Sequence, residues 1–125
     1  MRWRCPAALL AATVLVGCAS GGGGVSVDDQ LDFGVSAGRR GYWQEALFRF
    51  ERVLEASPDD PVAINNQAVA LEALGRYEDA LAAYKKALQK DPKNSSIKRN
   101  YARFAEFYTS YARGVLPKGV SDAKR

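Results

Sequence analysis

The stretch Gly41-Tyr42-Trp43-Gln44-Glu45-Ala46-Leu47-Phe48-Arg49-Phe50 returns, at six of its ten positions, as Gly75-Arg76-Tyr77-Glu78-Asp79-Ala80-Leu81-Ala82-Ala83-Tyr84. Glycine, the aromatic after it, the acid, the Ala-Leu pair and the second aromatic all recur at an offset of 34, and Pro58 recurs as Pro92. Extended outward, residues 27–60 and 61–94 are two copies of one pattern. A fixed period of this length marks a stacked array of helix–turn–helix units.

Each copy predicts two helices. Val27–Arg40 is the first, with Ser26 as N-cap and Asp29 three residues on, and with Asp28, Asp29 and Asp32 at the positive end of the helix dipole. Gly34 and Gly38 weaken it by about 1 kcal/mol each relative to alanine. Gln44–Ala56 carries Ala46, Leu47, Phe50, Val53 and Leu54 on one face and stops before Pro58. Asp60-Pro61 opens the third helix, whose face is Ile64, Ala68, Leu71 and Leu74; Gly75 closes it. The fourth, Glu78–Lys90, ends at Asp91-Pro92.

These positions resemble the tetratricopeptide repeat family. With Val27 and Pro61 as position one, the family's small residues at eight and twenty are Gly34 and Ala68, then Ala46 and Ala80. Its aromatic at twenty-four is Phe50 and Tyr84, and its proline at thirty-two is Pro58 and Pro92. Positions four, seven and eleven depart from it: Gln30 and Ile64, Phe33 and Gln67, Ala37 and Leu71. The resemblance implies an all-α fold, a short α-solenoid of two helix hairpins plus a capping helix. Small residues at eight and twenty would let paired helices approach closely, so a large residue at Ala80 would overpack the crossing.

A third repeat fails: Thr109 stands where glycine is needed. A single long helix is expected instead over about Ser96–Arg113, capped by Asn94 or Ser95 and ended by Gly114. Ile97, Tyr101, Phe104, Tyr108 and Tyr111 form its stripe, widened by Phe107. Core packing accounts for most of it. Two repeats leave little to cover the rest, so Phe107, Tyr108 and Tyr111 are candidates for self-association.

The ends carry a different message. Arg2 and Arg4 precede an apolar run, Ala7–Val16, that is shorter than the roughly 20 residues needed to span a bilayer. Small residues follow, as in a secretory signal. Leu15-Val16-Gly17-Cys18 resembles the lipobox of bacterial lipoproteins. That resemblance implies cleavage between Gly17 and Cys18, and lipidation of Cys18 as the new first residue. Residues 1–17 are then signal peptide and 18–25 a lipidated cysteine with a glycine-rich tether. Residues 26–114 are the repeat domain, with 95–114 as its cap, and 115–125 a tail. Removing Cys5 with the signal leaves Cys18 as the single cysteine, for which no disulfide partner exists. Ala19, where an aspartate commonly retains Gram-negative lipoproteins at the inner membrane, implies an outer-membrane anchor facing the periplasm.

The formal charge of +4 is unevenly spread. Residues 27–60 hold eight acids and four bases, residues 61–94 four and five, residues 95–125 two and seven. The array is therefore electrically polar from end to end, by chance or as a means of steering acidic partners. Nucleic acid is not an expected partner of an exported chain. There is no histidine, no thiol beyond Cys18 after cleavage, and no phosphate-binding glycine loop. No enzyme activity, cofactor or metal is expected; Asp28, Asp29 and Asp32 are accounted for by capping.

In the repeat family, ligands lie along the first helix of each pair. Transferred here, that groove presents Asp28, Leu31, Val35 and Gly38 from the first repeat and Val62, Asn65, Val69 and Glu72 from the second, with Asn66 beside Asn65 and with Arg99 and Arg103 from the last helix. Adjacent asparagine amides suit an extended peptide backbone. The family's carboxylate clamp is missing, because Leu31 and Val35 occupy its lysine and asparagine sites. The expected role is a membrane-anchored protein-interaction adaptor of the bacterial envelope, binding a protein or peptide and aiding assembly of a pilus, secretion or outer-membrane complex. The alternative is a structural lipoprotein that forms homodimers through its aromatic last helix.

Overall fold

The computed structural model describes residues 24–115. The expectations for Gly17, Cys18, the signal and most of the tether and tail lie outside them. Five helices follow in order: α1 (Val27–Arg39), α2 (Trp43–Ala56), α3 (Pro61–Ala73), α4 (Tyr77–Lys90) and α5 (Ser95–Ala112). None is long and apolar enough to cross a membrane.

Local chemistry sets both ends of α1, α3 and α5. The Ser26 hydroxyl accepts from the Asp29 amide at 3.1 Å, and the Asp29 carboxylate accepts from the Ser26 amide at 3.3 Å, a reciprocal cap. Asp60 accepts from the amides of Val62 and Ala63, and Asn94 from those of Ser96 and Ile97, so Asn94 is the cap of α5. Gly41, Gly75 and Gly114 have φ of 82°, 76° and 69°. Each turns the chain left-handed so that the next amide reaches five residues back, Tyr42 to Ala37, Arg76 to Leu71 and Val115 to Ser110, at 2.9 Å in all three. The third glycine stands 39 residues after the second, not 34, because α5 has 18 residues where α1 and α3 have 13.

α1 packs on α2 and α3 on α4 as hairpins; α2 stacks on α3, and α5 closes the end against α4 and α3. Ala46, Ala68 and Ala80 have no exposed surface at these crossings, and Phe50, Tyr84 and Phe104 fill the space between layers. Gly34 and Gly38 have a packing reason that outweighs their helix cost. A Cβ on Gly34 would lie 2.5 Å from the Phe50 ring, and one on Gly38 2.9 Å from the Trp43 indole. Both rings lie on bare backbone.

Pro58 and Pro92, which the repeat pattern groups with the packing residues, are exposed. They act at the turns, and the Pro58 carbonyl accepts from Lys86 Nζ at 3.2 Å. The outer face of α1 is polar where that of α3 is apolar. Asp29 and Gln30 stand where α3 has the buried Ala63 and Ile64, because α2 covers α3 and no described helix covers α1.

Candidate functional site

The first helix of each layer lines one face of the stack, and that face is grooved. Its first hollow, about 190 Å³, lies among α1, α2 and α3, with Val35, Phe50, Val69 and Trp43 as apolar walls over Gly34 and Gly38. Arg39 and Asn66 stand at its rim. The second, about 340 Å³, continues toward α5 and is lined by Glu72, Ala73, Tyr77, Arg103 and Phe107. Trp43 and Val69 belong to both, so the two hollows adjoin along this face.

The two halves differ because the repeats differ at one position. Gly38 in α1 corresponds to Glu72 in α3. Glu72 projects into the second half and is held there. Tyr84 donates to it at 2.7 Å from α4, and Arg103 donates at 3.1 Å from α5. Burial first, and the Glu72 carboxylate second, hold the Tyr84 phenol well above its ordinary range. This half of the groove thus carries a carboxylate and a guanidinium already paired with each other.

Of the residues assigned to the groove from sequence, Val35, Gly38, Asn66, Val69, Glu72 and Arg103 line it, and Asp28, Leu31 and Val62 lie outside both hollows. Asn65 does not line it either. It is only 7% exposed, and its carbonyl oxygen accepts from Asn100 Nδ2 at 3.1 Å, tying α3 to α5. The expected pair of adjacent free amides is therefore one amide, because Asn65 Nδ2 points toward Asn66 Oδ1 at 3.5 Å. Arg99 lines neither half and donates to Ser96 within α5 at 3.4 Å.

Trp43 and Tyr77 were legible as repeat aromatics, not as groove residues. Each starts the second helix of its hairpin just past the left-handed glycine, and that placement turns the ring back over the first helix. The pairing of Trp43 with Gly38 was the available signal.

The aromatic residues of α5 form a continuous cluster. Tyr77 lies edge-on to Phe107 at 5.0 Å and to Tyr111 at 4.7 Å; Tyr108 lies 5.8 Å from Phe104. Phe107 and Tyr108 are half-buried by these contacts, and Tyr111 remains 40% exposed. Among the described residues no cluster of His, Cys, Asp and Glu is placed to hold a metal ion.

Residues 31–95 match the family model of the tetratricopeptide repeat. The chain belongs to the tetratricopeptide repeat family. The family is a non-catalytic fold that generally mediates protein–protein interaction, and the open groove on the first-helix face suits that use. The chain is 37% identical over 70 residues to the TPR repeat-containing thioredoxin TTL4 of Arabidopsis thaliana, covering 56% of this chain and 10% of that protein. It is 32% identical over 74 residues to the uncharacterized protein y4yS of Sinorhizobium fredii, covering 59% of this chain and 41% of that one. The matched part thus spans a tenth and about two-fifths of these relatives' lengths.

Proposed function

We propose that this tetratricopeptide repeat protein is a lipid-anchored adaptor of the bacterial envelope that holds a segment of another protein in its groove. The observation that carries the reading is the groove itself. The core is complete without it, yet Trp43 and Val69 leave apolar surface facing an open concavity along three helices. The anchor rests on the Leu15-Val16-Gly17-Cys18 sequence, and the glycines after it supply reach. A role in assembling a pilus, secretion or outer-membrane complex fits an anchored recruiter, with the periplasmic face of the outer membrane as its place.

Site-specific photocrosslinking in the cell tests this. A photoreactive residue at Val69 or Ala73 should trap a foreign protein that the same probe at Ala82, which lines neither half of the groove, does not trap. Equal capture at all three sites would sink the groove reading. Cys18→Ser should release the protein from membranes; unchanged membrane retention would remove the anchor from the proposal.

Tyr111 supports a second reading. Its exposed ring continues the aromatic cluster outward, as a dimer contact would require. A mass that rises with concentration in the purified protein, and falls back to monomer with Tyr111→Ser, would favour self-association.

A further inference from the structure

The groove's first half lacks a side chain that the second repeat carries at the equivalent position. Position twelve is Glu72 in α3 and Gly38 in α1, and the indole laid over Gly38 forms a wall. The resulting space of about 190 Å³ is comparable to a cavity of roughly 150 Å³ that accommodates benzene. It suits one leucine or phenylalanine side chain. Its rim is not neutral. Arg39 is exposed and has no carboxylate partner among the described residues, and no acid lines this half. Asn66, which lines the hollow, uses only its oxygen, in a long contact with Asn65, and its side-chain amide donates no hydrogen bond among the described residues. The second hollow adjoins it at Trp43 and Val69, which leaves room for chain beyond an anchored residue on that side.

We infer that this hollow takes one bulky apolar side chain from an extended internal segment of a partner protein, and that an Asp or Glu side chain near it in that segment pairs with Arg39. The inference rests on the groove reading above and adds the chemistry of what is bound. Asn66 donates to the segment's backbone, the apolar residue supplies affinity, and Arg39 selects for the acid.

The full chain with Trp3→Phe has Trp43 as its only tryptophan, so its fluorescence reports this site alone. The probes are end-blocked nine-residue peptides in a serine–glycine host, with a central leucine and a glutamate one to three residues to either side. At least one register should shift Trp43 emission saturably. Leucine to alanine in that peptide should weaken binding at least about tenfold. Glutamate to glutamine should weaken it by roughly fivefold, and Arg39→Gln in the protein should erase that last difference. Gly38→Glu, which places the second repeat's residue in the first, should abolish binding while circular dichroism stays helical. Should that variant fail to fold, Arg39→Gln carries the test.

No saturable shift in any register up to about 1 mM, or equal binding of the leucine and alanine peptides, overturns the inference. Equal binding of glutamate and glutamine peptides overturns the role of Arg39. If photocrosslinks at Val69 and Ala73 still trap a protein in those cases, the groove reading stands and only the pocket chemistry falls; if both fail, the groove reading falls as well.

Discussion

Tyr84, fully buried on α4, donates its hydroxyl hydrogen to Glu72 on α3 at 2.7 Å, and Glu72 in turn accepts from Arg103 on α5. One core residue therefore positions a groove carboxylate and, through it, a groove cation. Tyr84→Phe keeps the packing and removes the hydrogen bond, which should cost about 1 kcal/mol at neutral pH in chemical denaturation.

The same residue sets an alkaline limit. Folding keeps the Tyr84 proton on, through burial and the nearby carboxylate, whereas the unfolded chain releases it near pH 10. The folded pKa is the higher one, so this stabilisation is complete below pH 10 and is lost as pH rises beyond it, at about 1.4 kcal/mol per pH unit. The stability curves of the natural protein and Tyr84→Phe should meet within about one unit above pH 10. Parallel curves would show that the proton is not held.

Gly34 and Gly38 should answer alanine differently. At Gly34 the new methyl meets Phe50, which is 3% exposed and cannot swing away. Overpacking of about 1–3 kcal/mol exceeds the helix gain of about 1, so Gly34→Ala should lower stability. At Gly38 the obstacle is the far edge of the half-exposed Trp43 ring. Gly38→Ala should leave the melting temperature nearly unchanged and shift the tryptophan emission. The reverse pattern would contradict the packing assigned to both.

Asn65 and Asn100 should be energetically coupled. Each alanine substitution alone breaks the 3.1 Å bond between α3 and α5, and the pair together should cost less than the sum by about 0.5–1.5 kcal/mol in a double-mutant cycle. Zero coupling would mean that this bond adds nothing to the hold of the apolar stripe and the Arg103–Glu72 pair on α5. Ala80→Leu at a site with no exposed surface should cost about 1–3 kcal/mol by the same measurement.

The helices were readable from sequence because their signals are local. Ser26, Asp60, Asn94 and the three left-handed glycines mark ends that the structure places within about one residue. The groove was half readable. Val69 and Glu72, like Val35 and Gly38 of the first repeat, follow from the resemblance to the repeat family, whose groove positions map onto them. Asn65 broke that mapping. α5 departs from the period, and a residue of its own, Asn100, meets Asn65 in a way no repeat register foretells. Trp43 was missed for a related reason. Its role depends on the missing side chain of Gly38, and a residue defined by what its neighbour lacks leaves no periodic trace.

The indole of Trp43 lines both hollows of the groove. A segment long enough to occupy both would meet the same ring twice, so a change at this one residue would be felt along the whole bound length rather than at a single contact.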